Sequence, residues 1–395
     1  MGGGCSTARG TMTDSMIMNP KTNVNKETEI EKKGNDESEI ILIQGTGSII
    51  GGEVHRTKKA KENYIICKFN ISQKDLNQEI RLINGGKDEE NLKKNCKLFI
   101  NKKEMKEFNI KHKFSSVNEN ELKIVCNDDF ENANSLFASC THITEFDFSN
   151  FHLKNIQNLE NFFFQCCSLK KLDLSQFDCN NIKSICAMFG NCNMLNEIIL
   201  PKNTENVIDM SFLFLNCSSL ETIDFSNFST NNVKNMKGMF AKCSKIKKLD
   251  LSFFSTEKVQ NMSQMFYKCV SLSEINLTSF KTNNVTEMSG MFSNCTSLEN
   301  LNLTTFNTNN VTDMSEMFSE CFLLKEINLY KLKNPKIKKM NLMFKNCSFL
   351  NQIDISNFKS YNDTDITDMF KGINKNCVLL NYNDKIINKY KEAIN

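Results

Sequence analysis

A Phe-x-x-Cys motif returns along most of this chain at a nearly constant interval. Its cysteines stand at positions 140, 166, 192, 217, 243, 269, 295, 321 and 347, so every spacing is 26 residues except one of 25. A fixed period of this length is typical of stacked supersecondary units and not of a single globular core. Each unit must bury its apolar positions against its neighbours, because one unit alone has too little core.

Each unit contains two kinds of apolar spacing, which residues 284–303 show clearly. Residues 288–295 (MSGMFSNC) place two Met, a Phe and a Cys at i, i+3, i+4 and i+7, which predicts a short helix with one buried face. Residues 298–303 (LENLNL) read L-x-x-L-x-L, and the last two leucines alternate as in a strand. The sequence therefore predicts one short helix and one short strand in every unit.

The MF-x-x-C segment, the L-x-x-L-x-L core and the S-x-F that follows resemble the BspA-type leucine-rich repeat, a 26-residue "surface protein" repeat of bacteria and many protists. The resemblance covers about residues 130–375 and nine consecutive units. It implies an α/β solenoid, a right-handed leucine-rich-repeat superhelix with parallel strands on the concave face and short helices on the convex face. Ordinary leucine-rich repeats have Asn where this chain has Phe177, Phe228, Phe254 and Phe280, so no Asn ladder is expected there.

Pattern and composition divide the chain into four segments. Residues 1–38 are polar and of mixed charge, and they predict a disordered tether. Residues 39–129 predict a small β-rich domain that caps the first repeat, with strands at 64–71, 79–83, 97–100 and 122–125 and a short helix at 89–95. Residues 130–376 hold nine full repeats and a degenerate cap, and residues 377–395 form an amphipathic capping tail around Ile386, Ile387 and Tyr390. Asn pairs such as Asn283-Asn284 and Asn309-Asn310 are expected to supply left-handed turns.

Seventeen cysteines raise the question of disulfides, metal binding and redox chemistry. Nine of them occupy one apolar position in nine equivalent units, where a free Cys behaves as a small hydrophobic residue. Disulfides would need an oxidising compartment and suitable geometry in every unit, and zinc would need four converging ligands. The sequence predicts structural thiols, no metal and no cofactor, with metal or redox use as the alternative.

The first residues, MGGGCST, match an acylation pattern. Gly2 and Ser6 fit the Met-Gly-x-x-x-Ser motif for N-myristoylation, and Cys5 is placed for palmitoylation. One myristoyl chain attaches a protein only weakly, so a second signal is needed, and residues 1–38 hold five Lys/Arg against six Asp/Glu. Cys5 is therefore the expected second anchor, and unmodified glycines are the alternative interpretation.

A glycine-rich stretch at residues 43–54, followed by Lys68, is similar to the nucleotide-binding loop of a protein kinase. The spacing departs from G-x-G-x-x-G, and the catalytic-loop and DFG motifs that phosphoryl transfer requires do not follow. The four histidines neither pair at metal-ligand spacing nor accompany a recognisable nucleophile. We therefore expect a protein that is not an enzyme.

The residue between the last two apolar positions of L-x-x-L-x-L should point outward from the strand, along the concave face. The predicted binding face therefore consists of Asp147, Asp173, Asp224, Asp250, Asn276, Asn302, Asn328 and Asp354. Two interpretations remain open: a docking stripe for a basic or polar peptide, helped by a cation, or acids that accept hydrogen bonds from serines on their own strand.

The formal net charge of +3, from 49 Lys/Arg and 46 Asp/Glu, does not favour nucleic acid as a partner. A membrane-spanning apolar run and a secretory leader are both missing from the pattern. The first hypothesis is a scaffold, lipid-anchored at the cytosolic face of a membrane, that binds a protein partner and no small-molecule substrate. The alternative is a cell-surface adhesin exported without a conventional signal peptide.

Overall fold

The computed structural model of the protein describes residues 62–85, 89–117 and 120–395. Its strands are β1 Asn63–Phe69, β2 Glu79–Arg81, β3 Cys96–Ile100, β4 Lys103–Glu104, β5 Lys111–Lys113, β6 Asn120–Cys126, β7 Ile143–Asp147, β8 Lys171–Asp173, β9 Glu197–Ile199, β10 Lys248–Asp250, β11 Glu274–Asn276, β12 Glu326–Asn328, β13 Gln352–Asp354 and β14 Val378–Leu380. The α-helices are α1 Glu89–Asn95 and α2 Asp384–Ile394. In this part of the chain, no helix has both the length and the apolar character needed to cross a lipid bilayer.

An antiparallel sheet precedes the repeats, with strand order β4-β3-β6-β1-β7. Alternate residues of β6 are buried, as expected for a strand with one face on a core. The predicted strands at 64–71, 97–100 and 122–125 and the helix at 89–95 are confirmed to within a few residues. Since β7 belongs to the first repeat and pairs with β1, the repeats begin as a direct continuation of this sheet.

The repeats form a parallel β-solenoid of about eight turns, and we call each turn a rung. In β10, for example, the middle residue Leu249 is buried, and its neighbours Lys248 and Asp250 face outward. Neighbouring strands pair in parallel one repeat apart, for example Leu249 with Ile275. The predicted parallel strands are therefore confirmed.

A second ladder runs along the solenoid through single bridge residues. Each pairs in parallel with its equivalent in the next rung, and together they are Asn158, Ser184, Asp209, Asn235, Asn261, Glu287, Asp313, Lys339 and Asp365. One residue per rung suffices for this ladder, so the sequence has no strand-length pattern here. The bridge ladder therefore continues through rungs in which the strand ladder is interrupted, such as the one at residues 300–302.

The predicted short helices are wrong: in the described repeats, the Met-x-x-Met-Phe-x-x-Cys segments are hydrogen-bonded turns. In residues 236–243, Gly238 and Lys242 have left-handed backbones, with φ of 59° and 64°, which no α-helix tolerates. The N–H groups of alternate residues donate to the next rung, for example Phe240 N to Met265 O at 2.9 Å. An eight-residue helix leaves most of its backbone groups unbonded, whereas in the turn the N–H groups of alternate residues find acceptors in the neighbouring rung.

The Asn pairs do not supply the left-handed residues, so that prediction is also wrong. Positive φ is absent from Asn283, Asn284, Asn309 and Asn310. It recurs instead within the Met-x-x-Met-Phe-x-x-Cys segments, which we call the Met-Phe turns. The side chain of the second Asn in each pair instead donates a hydrogen bond to the previous rung. Asn310, for example, donates from Nδ2 to the backbone oxygen of Asn283 at 2.7 Å.

A column of buried threonines, which the sequence reasoning missed, replaces the Asn ladder of ordinary leucine-rich repeats. Thr256 donates from Oγ1 to the Lys281 carbonyl at 3.0 Å and accepts the Lys281 N–H at 2.8 Å. One hydroxyl thus satisfies two backbone groups of the next rung. The column comprises Thr204, Thr230, Thr256, Thr282, Thr308 and then Asn334, whose amide makes the same two bonds.

The core of the solenoid consists of stacked phenylalanines flanked by thiols. The Phe of each Phe-x-x-Cys stacks on the next, with ring centroids 5.3–6.1 Å apart and interplanar angles of 3–20°, from Phe137 to Phe370. The last ring meets Tyr390 of α2 edge-on at 5.4 Å, and Ile386 is fully buried. Helix α2 therefore packs on the apolar end of the last rung.

Replacing Thr256 by valine tests the threonine column. The substitution keeps the shape but leaves the N–H and C=O of Lys281 without their partner in a site of 0% exposure. We expect a loss of about 2 kcal/mol in unfolding free energy, measured by urea denaturation. Thr222→Val, at an exposed threonine, is the control and should change stability by less than about 0.5 kcal/mol. Equal losses for the two variants would contradict a structural role of the column.

Candidate functional site

The eight residues of the predicted binding face lie at equivalent places in their rungs. Six are the last residue of a strand, namely Asp147, Asp173, Asp250, Asn276, Asn328 and Asp354, while Asp224 and Asn302 lie in the corresponding segments of their rungs. All are exposed except Asn276 and Asp354, which are half-buried. Strand register places Asp250 beside Asn276 and Asn328 beside Asp354. We call this surface, the outward side of the strands, the strand face.

Each of these side chains first serves its own turn. Its Oδ1 accepts the backbone N–H two residues later, at 2.8–3.2 Å, and so closes the turn that ends the strand. In Asp173, for example, the partner is the N–H of Ser175 at 2.8 Å. The structure therefore shows acids that accept hydrogen bonds from the residues just after their own strand. In a docking role, an Asp of this face would use its second carboxylate oxygen.

Hydrogen bonding favours the ionised form of Asp224 and of Asp250. The Ser226 backbone N–H lowers the pKa of Asp224, and the Ser252 backbone N–H lowers the pKa of Asp250. Asn276 also donates from Nδ2 to Asp250 Oδ1 at 2.9 Å, so an amide lies where a second acid would repel. The strand face therefore offers a column of fixed oxygen acceptors.

A second column, at the first position of the strands, contains two cross-strand ion pairs. Lys171 pairs with Glu197 at 2.5 Å, and Lys248 pairs with Glu274 at 2.9 Å, in each case across neighbouring strands. These pairs are more than half exposed, so they add little stability. Their effect is to leave the Asp and Asn column as the charge-bearing part of the strand face.

A groove of about 720 Å³ crosses β7, β8 and β9 at the start of the strand face. Met194 and Ile199 line it and are 44% and 50% exposed. Asp173, Lys171 and Glu197 also line it, so an apolar floor is bordered by charged groups. Partly exposed apolar side chains within a polar border are typical of binding surfaces.

Sequence reasoning left Met194 and Ile199 out of the predicted site, although the signal was available. Ile199 stands where the neighbouring units carry Asp173 and Asp224, and Met194 stands where an adjacent unit carries Ser168. These are departures from the repeat toward apolar residues on an exposed face. Only the fold shows that the two departures line one groove.

The nine cysteines of the Phe-x-x-Cys motifs, which we call the ladder thiols, are buried, as the sequence predicted. Eight of them, Cys166, Cys192, Cys217, Cys243, Cys269, Cys295, Cys321 and Cys347, donate to the carbonyl of the preceding rung's Phe at 3.1–3.2 Å. Burial raises the pKa of Cys269 and of Cys321 to about 12. These thiols therefore stay protonated at neutral pH, which makes them poor nucleophiles and poor metal ligands.

Other parts of the predicted site lie elsewhere. Gly2 and Cys5, with the glycine-rich stretch at 43–54, are outside the described residues. Lys68, the kinase-like lysine, lies on β1 and pairs with Glu145 at 2.6 Å. Among the described residues, no three His, Cys, Asp or Glu side chains are arranged to hold a metal ion.

Comparisons with known proteins point to a repeat family. A family model described as "Mycoplasma protein of unknown function, DUF285" matches residues 103–222, 131–248, 199–300 and 268–383, overlapping as a periodic chain should. The chain is also similar to the crystal structure of a leucine rich cell surface protein from Faecalibacterium prausnitzii A2-165. Identity is 15%, the match covers 61% of this chain and 79% of that one, and the TM-score is 0.20. No curated protein matches the chain.

Two substitutions of Asp250 distinguish the contribution of its turn hydrogen bond to stability from the contribution of its charge. Asp250→Ala removes the acceptor of the Ser252 N–H and should lower the urea midpoint at neutral pH, whereas Asp250→Asn keeps an acceptor and should lower it less. Because the folded pKa of Asp250 is below its ordinary value of about 3.9, its charge stabilises the fold above that pH. This contribution disappears as pH falls through the folded pKa, so the wild type should approach Asp250→Asn there. If the two variants were equally destabilised at neutral pH, the turn role would be wrong.

Proposed function

We propose that this chain, which belongs to the family described as Mycoplasma protein of unknown function, DUF285, is a non-enzymatic protein-interaction scaffold. The family match runs from residue 103 to residue 383 and so includes the whole strand face. A stacked array holds surface side chains at a fixed repeat, which suits contact with an extended partner. We expect right-handed coiling, as in most connections between parallel strands.

The observation that supports this proposal best is the groove over β7, β8 and β9. Its half-exposed Met194 and Ile199 offer an apolar anchor site, and Asp173 pairs in register with Ile199 beside it. Binding energy in protein interfaces usually concentrates in a few buried apolar anchors surrounded by polar contacts. The groove and the Asp and Asn column together therefore fit one partner segment.

The partner we propose is a protein segment with an apolar side chain for the groove and basic or amide groups along the column. The carboxylates of Asp173, Asp224 and Asp250 each have one oxygen engaged in a turn, which leaves the other for a donor. Charge complementarity of this kind speeds encounter and selects among partners. The segment would cross several rungs, which lie about 4.8 Å apart along the ladder.

We further propose that acyl groups at Gly2 and Cys5 hold this scaffold at the cytosolic face of a membrane. The support is the sequence pattern at residues 1–6, because a myristoyl and a palmitoyl chain together give the stable attachment that one chain does not. The adhesin hypothesis predicts the opposite side of the membrane. Protease treatment of intact cells separates the two, since only a surface protein is cleaved.

The double variant Met194→Asp, Ile199→Asp tests the groove. Two charges on its floor should prevent an apolar anchor from docking, so binding should fall by at least about 100-fold. The measurement compares partners captured in cells by proximity labelling for the wild type and the variant, followed by affinity measurement on the purified pair.

Phe253→Asp is the matched control for the groove. Phe253 is 58% exposed and lies after β10, outside the groove lining, so the same kind of change there should leave the captured set intact. Both variants should unfold at the wild-type urea midpoint, because both residues are at the surface. Retention of the same partners with unchanged affinity by the groove variant would contradict the proposed site.

Gly2→Ala tests the anchor. Myristate attaches to the amine of Gly2, so labelling with a myristate analogue should be lost and the protein should leave the membrane fraction. Cys5→Ser should keep the myristate label but weaken membrane retention, because one acyl chain remains. If Gly2→Ala were labelled like the wild type, the anchor would be removed from the proposal while the scaffold would stand.

A further inference from the structure

Two cysteines outside the ladder face each other in the sheet that precedes the repeats. Cys96 is the first residue of β3 and Cys126 is the last residue of β6, and they are directly opposite in the antiparallel register. Their sulfur atoms are 3.4 Å apart, and the residues are 5% and 4% exposed. This contact places two thiols at van der Waals distance in a defined position of a paired strand.

The register identifies which kind of cross-strand pair this is. Asn127 N donates to Asn95 O at 2.9 Å, and Asn101 N donates to Glu121 O at 2.9 Å. The hydrogen-bonded pairs therefore fall on the odd-numbered residues of β3, which makes Cys96 and Cys126 a non-hydrogen-bonded pair. Such pairs have Cα atoms about 4.5 Å apart, within the range that a disulfide spans without backbone movement.

These two thiols differ in their bonding from the thiols of the ladder. Cys166 points its hydrogen at a backbone carbonyl of another rung, at 3.2 Å, and the equivalent cysteines repeat this contact. The Cys96 thiol donates instead to the sulfur of Cys126. A sulfur is a weak acceptor, so replacing this contact by a bond costs no strong hydrogen bond.

We propose that Cys96 and Cys126 are a modification site, at which a small-molecule disulfide such as oxidised glutathione converts the pair into an intramolecular disulfide. One deprotonated thiol attacks a glutathione sulfur, forms a mixed disulfide and releases one glutathione thiolate. The second protein thiolate then attacks the mixed disulfide and releases the other. In total, two protein thiols are oxidised to one disulfide, and one oxidised glutathione is reduced to two glutathione thiols.

The position of the pair sets the rate and the consequence of this reaction. The adjacent Cys96 thiol, together with burial, raises the pKa of Cys126, so attack waits for the end of β3 to open. Strand ends open more readily than strand centres. Once formed, the bond closes the chain between residues 96 and 126 and fastens β3 to β6, which stabilises the sheet that β7 joins.

The test uses the full-length protein, reduced and then exposed in its native state to glutathione buffers of increasing oxidised fraction. Alkylation under denaturing conditions and peptide mass spectrometry then map every thiol. We expect a Cys96–Cys126 cross-link to form first, with the ladder thiols still alkylated, and a thermal midpoint raised by about 5 °C. Cys96→Ser and Cys126→Ser should each abolish both effects.

Cys377→Ser is the matched control, because Cys377 is similarly buried, at 6% exposure, but lies at the other end of the repeats. It should leave the cross-link and the shift in midpoint unchanged. Mixed disulfides with glutathione at Cys96 or Cys126 without the cross-link, or linkage to a ladder cysteine instead, would overturn the proposal. So would two alkylated thiols in the most oxidising buffer. Because the mapping is done on the wild type, the test holds even where a serine variant does not fold.

Discussion

Backbone hydrogen bonds between successive rungs are the interaction on which the rest of this structure depends. A rung bonds only part of its own backbone, through turn contacts such as Met239 N to Met236 O at 3.2 Å. The strands, the single bridges and the alternate N–H groups of the Met-Phe turns bond to the neighbouring rung. The buried hydroxyl of Thr256 extends the same rule to a side chain, because it satisfies two groups one rung away. The stack must end in something other than a rung, and the N-terminal sheet and helix α2 meet that need.

This constraint also arranges the surface. Residues one repeat apart become neighbours, so ion pairs such as Lys171–Glu197 and amide contacts such as Asn276–Asp250 join positions that are distant in sequence. A residue that departs from the repeat therefore lies next to the equivalent residues of the units on either side. The groove around Met194 and Ile199 arises in this way, as a local departure from an otherwise polar pattern. The proposed binding site rests on this departure.

The cysteines fall into two physical classes for the same reason. A ladder thiol is surrounded by core and bonded to a carbonyl of another rung, which keeps it protonated and unreactive. Cys96 and Cys126 lie in an antiparallel sheet, where a non-hydrogen-bonded pair brings two side chains into contact. The sequence pattern does not distinguish the ladder thiols from Cys96 and Cys126, since each stands at an apolar position. Their chemistry differs because parallel rungs separate equivalent side chains by a strand spacing, whereas antiparallel strands can bring two into contact.

By itself, the sequence determined the period, the burial of residues such as Met288 and Phe292, and the outward position of Asp250 and its equivalents. These follow from spacing along the chain, whereas the parallel strands were expected from the resemblance to a repeat family. Only the tertiary structure decided that the Met-Phe segments are turns and not helices, because both conformations bury the same side chains and the choice depends on acceptors in the next rung. The threonine column, the groove at Met194 and Ile199 and the Cys96–Cys126 contact were decided in the same way. Each is a relation between residues that only folding makes adjacent, so no pattern within one unit contains it.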